Sequence, residues 1–374
     1  MLSDHNVCVA RYSNSFCILA AHFDLIMKKL YTTKKYKSRH NRLCRLLQQR
    51  SRPKRRKHIV VVKVERQKDK NGLIIVAPEN CSFIEATNDC ACFFKKMRLP
   101  ESLWIVNRRK FLYVSLGEVK KIDFHTIVTL LSIIDEMKSR GINTRGELPK
   151  DLNCRQFLAD SGFLSKMYDE KGKKYQDSSK SELIYFEKGE GKLTVTQMEM
   201  ISNCVEHTCK YLTGGSPPNT SLKSMLKEIC GNSIEWSNSH NKKWQLGIMY
   251  GDNEVIFTAV DLGKGILDTI YRKHSQLLKE FFFKDDRLTI LKNAFNKKYG
   301  SNTQEGNRGK GLPGIKNCCD DGYIQELLVI TNNVKLDFVY PNKSLIFAKE
   351  KNLFKGTMYR WVLRKECFFN GIDN

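Results

Sequence analysis

Along the first half of the chain the apolar positions switch between two periods. His58-Ile-Val-Val-Val-Lys-Val64 and Leu73-Ile-Ile-Val-Ala77 are β-branched runs set between turn residues, and they predict strands. Phe111-Leu-Tyr-Val-Ser-Leu116 predicts a further buried strand. Helical spacing takes over from Cys90 to Arg98, stopped by Pro100. It returns from Thr126 to Arg140, where Ile127, Leu130, Leu131, Ile134 and Met137 form one stripe and Gly141 supplies a C-cap. A short strand before Pro149 and a second helix ending near Gly162-Phe163 complete the alternation, which predicts a small α/β domain over residues 58–170.

The second half has a different rhythm. Residues 171–193 are polar and rich in Gly, Ser and Lys, with Tyr185-Phe186 as the apolar anchor, and predict a linker. Met198, Ile201, Val205 and Cys209 space a helix from Thr194 to Leu212, broken by Gly214-Gly-Ser-Pro-Pro218. The next helix starts at an Asn219/Thr220/Ser221 cap and runs to about Trp236. Trp244 to Tyr250 and Val255 to Val260 predict a hairpin around Gly251-Asp-Asn253. Glu326 to Ile330, Lys335 to Tyr340 and Gly356 to Leu363 add antiparallel strands, so residues 194–374 form a second α/β domain.

Composition changes this picture at one end only. With 374 residues and 41% hydrophobic content the chain is long enough for two globular domains, and no run approaches the roughly 20 apolar residues that span a bilayer. Phe16-Cys-Ile-Leu-Ala-Ala21 lacks a basic flank, so a secretory signal is not expected; Met27 is a plausible start, which makes residues 1–26 an upstream extension. Residues 28–57 carry 14 Lys or Arg and no Asp or Glu, more than half of the net charge of +24. So dense a positive run predicts a disordered arm over residues 1–57, with nucleic acid as the candidate partner through phosphate neutralisation and a solubilising tail as the plain alternative. The 13 cysteines show no paired CxxC spacing; zinc is not expected, and reduced thiols in a cytoplasmic protein are.

Candidate chemistry lies in three runs in fixed order. In Glu228-Ile-Cys-Gly-Asn232-Ser-Ile-Glu235 the three polar residues stand at i, i+4 and i+7, on one face of the predicted helix. Val260-Asp261-Leu-Gly263-Lys-Gly265 follows the hairpin, and Gly306-Asn-Arg-Gly309-Lys-Gly311-Leu312 opens a later helix. A polar helix face is usually only solvated, and spaced glycines are common in turns. Together the runs offer residue types that suit a nucleotide: an oxygen of the kind a hard cation prefers, a carboxylate one turn away, and glycine loops that allow close approach to backbone N–H groups.

The ordered set resembles the ATP-binding superfamily shared by gyrase, MutL, the heat-shock-90 chaperones and the histidine kinases, the GHKL or Bergerat fold, over about residues 195–365. The resemblance implies a mainly antiparallel sheet with helices on one face. It implies Mg²⁺ on Asn232, Glu228 as general base, and Asp261 as acceptor for the adenine amino group. Gly263 and Gly265 would allow close backbone approach to the nucleotide, Lys284 to Glu305 would form a lid, and Gly306, Gly309, Gly311 and Leu312 would cradle the phosphates. Phe354-Lys-Gly-Thr357 is similar to the closing strand of that family, whose Thr lies near adenine.

Residues 111–166 resemble the STAS-like domains of bacterial regulators through Val119-Lys-Lys-Ile-Asp123, the long amphipathic helix and Leu158-Ala-Asp-Ser-Gly162-Phe163. Phe124-His125-Thr126 stands where the antagonist branch carries its phosphorylated serine, so a phospho-switch is not expected there, and His125 reads as an ordinary helix-start residue. Eleven residues follow Leu363, too few for the transducer domain of gyrase and MutL. The expectation is a Mg²⁺-dependent ATPase that acts as a regulatory or defence-type switch with a protein partner or as a homodimer, and with no membrane. An anti-sigma-type protein serine kinase and an ATP-gated binding module without turnover are the alternatives.

Overall fold

A computed structural model of the protein describes residues 72–98, 111–168, 173, 184–190, 193–215, 219–236, 243–273, 286–296, 311–349 and 353–369. The basic arm 28–57, both candidate starts, the strand expected over 58–64 and the loop containing Gly306 and Gly309 lie outside them. So do the side chains of Asn232 and Glu235 and those of residues 184–190.

Two sheets of opposite character lie within one compact unit, residues 67–374. In the first, β1 (Gly72–Val76), β3 (Phe111–Ser115) and β5 (Asn143–Glu147) pair in that order, both ladders parallel. Short strands β2 (Asn80–Cys81) and β4 (Lys121–Ile122) form a separate parallel ladder. Helices α1 (Thr87–Met97), α2 (Phe124–Ser139) and α3 (Leu152–Asp160) alternate with these strands, as the periodicity predicts. Asp123 caps α2: its carboxylate accepts from the Thr126 amide at 2.7 Å, the Ser82 hydroxyl at 2.7 Å and the Ile84 amide at 3.2 Å. That carboxylate is fully engaged in holding the loop before α1.

The second sheet has seven strands. These are β6 (Ile184–Glu190), β7 (Lys243–Tyr250), β8 (Val255–Asp261), β9 (Gln325–Asn332), β10 (Val334–Asp337), β11 (Leu345–Ile346) and β12 (Phe354–Leu363). Their order is β11-β10-β9-β12-β8-β7-β6, and every neighbouring pair is antiparallel. The linker expected over 171–193 therefore needs correction: residues 184–190 pair with residues 243–249 of β7 as an edge strand. Its Lys, Glu and Gly residues disguise it, because an edge strand gains backbone hydrogen bonds without needing an apolar sequence.

Alternate residues of the central strands feed two cores. Leu246 and Ile248 of β7, Val255, Phe257 and Ala259 of β8, and Trp361 of β12 pack beneath five helices. These are α4 (Val195–Thr213), α5 (Thr220–Trp236), α6 (Ile266–Lys273), α7 (Arg287–Phe295) and α8 (Gly311–Asp320). Val260, Ile330 and Met358 point the other way, into a core shared with α1 and α2 of the N-terminal layer. The two expected α/β domains are thus joined through the open face of the larger sheet. Burial on both faces explains why β8, β9 and β12 read as nearly unbroken apolar runs.

Helix α2 lies directly on that face. A Cβ on Gly247 would come within 2.4 Å of Val128 Cγ2 and 3.0 Å of Phe124 Cζ, so the missing side chain lets the helix approach. His125 is buried in the same contact, with Nδ1 2.6 Å from Thr258 Oγ1, and burial pushes its imidazole down to about 4, so it is neutral at pH 7. The helix-start residue of the sequence is a sheet-docking residue. Gly247→Val should cost about 1–3 kcal/mol by overpacking this contact, measured as a lower urea midpoint at unchanged slope.

Candidate functional site

Four strand ends place one residue each in a row across the larger sheet. Trp244 of β7 is in register with Asp261 of β8, Asp261 with Thr357 of β12, and Thr357 with Thr331 of β9. Strand alternation turns this row toward the helical face, since Ala259 and Tyr359, two residues along, pack in the helical core. Asp261 has 9% of its surface exposed. One carboxylate oxygen accepts from the Gly263 amide at 2.8 Å. Burial raises its pKa to about 6, against the pull of the Gly263 amide, the Thr357 hydroxyl and the Arg98 charge.

The loop after Asp261 is sewn to the end of β9. Thr331 Oγ1 accepts from the Ile266 amide at 2.9 Å and donates to Gly356 O at 2.9 Å. Asn332 Oδ1 accepts from the Leu267 amide at 3.2 Å, and Asn332 Nδ2 donates to Lys264 O at 2.8 Å. The first two amides of α6 are thereby satisfied inside the protein. Gly265 has φ +82°, and a Cβ there would stand 2.5 Å from Asn332 Oδ1. The close approach that makes this residue glycine is thus to Asn332. Gly356 has φ +150°, and a Cβ on it would lie 2.2 Å from Asp261 O, so the backbones on either side of the Asp261–Thr357 pair are in direct contact.

Helix α5 carries the first polar run. Asn219 caps it by accepting from the Leu222 amide at 2.8 Å, and Leu222, Met225, Leu226, Ile229 and Cys230 bury its inner face. Glu228 is exposed beside that stripe, and Asn232 and Glu235 follow on the same helix at one and two turns. Helix α5 packs over β7 and β8. Tyr359 is buried in the core beneath the helices, and its phenol pKa is raised, chiefly by burial.

Helix α8 begins at Gly311 and packs against α5, with Cys318 Sγ donating to Ser221 O at 3.7 Å. Leu312 is half-buried against the helical core. Of the residues singled out in the sequence, Glu228, Asp261, Gly263, Gly265 and Thr357 fall on elements that meet around Asp261 and Tyr359, and Gly311 and Leu312 open the helix beside α5. Gly306, Gly309 and the Asn232 side chain lie outside the described residues.

One correction concerns the lid expected over Lys284 to Glu305. Its described part, 286–296, contains α7, capped by Asp286 through the Thr289 amide at 2.7 Å. Ile290, Leu291, Ala294 and Phe295 of α7 are buried, and Phe295 meets Phe338 edge to face at 5.0 Å. Four apolar residues on one helical face make this stretch part of the core.

Sequence reasoning missed Trp244, Tyr359, Arg98 and the Thr331-Asn332 pair. Trp244 is 3% exposed, and its indole N–H has no hydrogen-bond partner among the described residues. Thr331-Asn332-Asn333 does carry a turn signal, and Asn332 takes φ +57° there. The capping of α6 by that turn depends on a contact 65 residues away in sequence. Among the described residues no group of three or more His, Cys, Asp or Glu gathers as a metal cluster, and no helix is long and apolar enough to cross a membrane. In comparisons with known proteins, no family profile and no curated sequence matches the chain.

Proposed function

We propose that this chain binds ATP with a divalent metal and hydrolyses it, and that residues 194–374 adopt a Bergerat-type arrangement with a STAS-like layer docked on the open face of the sheet. The observation that carries this is the buried Asp261 carboxylate, in register with Thr357 on a sheet that packs against the helix carrying Glu228. A carboxylate kept largely from water, with one oxygen on a backbone amide, suits recognition of a neutral donor such as the adenine amino group. The antiparallel order of the larger sheet, with α5 and α8 side by side on one face, supports the same assignment.

The residue types fit a metal nucleotide. Asn232 would hold the ion through its amide oxygen, a ligand that suits Mg²⁺, and the ion would neutralise phosphate charge. Glu228, exposed one turn earlier, would take the proton from the attacking water. Thr357 stands in register beside Asp261, and amides around Gly311 would face the phosphates, those of Ile266 and Leu267 being already engaged.

Incubation of the purified protein with Mg²⁺ and γ-labelled ATP, with and without cell lysate, tests this. Label released as free phosphate is the expected result. Label transferred to a protein would replace hydrolysis by a serine kinase activity, and binding without release would leave a nucleotide-gated binding module. Absence of ATP binding at millimolar concentration would remove the nucleotide assignment altogether.

A further inference from the structure

Arg98, at the C-terminal end of α1, reaches out of the N-terminal layer to the two backbone segments that hold the Asp261–Thr357 pair. Nη2 donates to Leu262 O at 2.7 Å, next to Asp261, and Nη1 donates to Lys355 O, two residues before Thr357. The guanidinium is fixed from behind by Glu136 of α2, with Nε 2.5 Å from Oε2 and Nη2 3.3 Å from Oε1. Its side chain is 13% exposed. Helix α1 and the loop before it are anchored on β12: the Phe354 ring lies 5.0 Å from Phe83 of the loop and 6.3 Å from Phe94 of the helix.

We propose that Arg98 is a positioning residue through which the N-terminal layer sets nucleotide affinity. The Glu136–Arg98 staple closes the gap between the strand ends that carry Asp261 and Thr357. This rests on the nucleotide reading above. A planar guanidinium with fixed donors bridges two carbonyls and a carboxylate at once, which a lysine does not do. A shift of α1 against α2 must either break the pair with Glu136 or pull the Leu262 and Lys355 carbonyls with it. Movement in the layer is thus felt at the base-recognising carboxylate, and by linkage nucleotide must stiffen the layer in return.

The test compares wild type, Arg98→Ala and Glu136→Gln as full-length protein, by calorimetric titration with Mg-ATP and by amide hydrogen exchange. The alanine variant should bind ATP about tenfold more weakly, a factor usual for coupling between sites. Glu136→Gln, which keeps the side-chain shape, should move affinity in the same direction by less. In wild type, ATP should slow exchange in α1 and α2, and in Arg98→Ala that slowing should disappear. Unchanged affinity in both variants, with wild type binding ATP, would overturn the coupling alone. Weaker binding with the slowing of α1 and α2 intact would overturn it too. Wild-type protein that binds no ATP would remove both proposals.

Discussion

Asp261→Asn should lose ATP affinity by about ten- to a hundredfold while making the nucleotide-free protein more stable. A hydrogen bond to a charged acceptor contributes about 1.5–3 kcal/mol, and each 1.4 kcal/mol is a factor of ten in affinity. The amide keeps an oxygen for the Gly263 N–H, so the loop retains its anchor. What it loses is the charge that the adenine amino group would meet.

The stability gain has the opposite origin. Burial raises the Asp261 pKa from 3.8 to about 6, so above pH 6 the folded state carries a carboxylate it would rather protonate. A group with a raised folded pKa stabilises fully below its unfolded pKa and loses that contribution as pH rises through the folded one. Apo stability should therefore fall between about pH 4 and pH 6 on account of this group, and ATP affinity should rise through about pH 6 as the carboxylate ionises. Asp261→Asn should flatten both trends and gain about 1–3 kcal/mol at pH 7, since a pKa unit corresponds to about 1.4 kcal/mol. Thermal melts and calorimetric titrations from pH 4 to 8 measure both. Equal ATP affinity in wild type and variant at pH 7.5 would exclude Asp261 from base recognition.

Glu228→Ala should separate turnover from binding. A positioned general base supplies about 10²–10⁴-fold in rate, so phosphate release should drop by that factor. The side chain is exposed at the rim of α5 and contributes nothing to the core built by Leu226, Ile229 and Cys230, so the helix should tolerate the change. The dissociation constant for Mg-ATP should stay within about threefold, because a group that acts on the attacking water affects chiefly the transition state. Single-turnover phosphate release and equilibrium titration on one preparation give both quantities. A rate within a few-fold of wild type would assign the base to another residue.

Where a segment's own periodicity dictates its element, the sequence was sufficient. The helix stripes of Ile127 to Met137 and of Ile201 to Cys209, the cap at Asn219, and the hairpin ending at Asp261 all stand where local spacing puts them. These follow from i, i+3, i+4 burial and from orphan amides that need an acceptor, which are properties of a few neighbouring residues. The polar run on α5 was visible from helical spacing alone, whereas the glycine loop after Asp261 and Thr357 were singled out by the family resemblance.

Only the tertiary structure decided the rest, because the energy lies between distant segments. Residues 184–190 are a strand by virtue of the β7 backbone and not of their own polar composition. The stretch after Lys284 is core because Ile290, Leu291 and Phe295 find a pocket among α6, α8 and β10. His125 docks a helix because Thr258 awaits it 133 residues further on. Gly247 is small because α2 lies on it, and the Arg98 guanidinium gathers the Lys355 carbonyl of β12 and the Leu262 carbonyl just past β8. A sequence displays periodicity and caps, which are local. It does not display which buried faces will meet, since many pairings satisfy the same hydrophobic pattern and close packing selects among them.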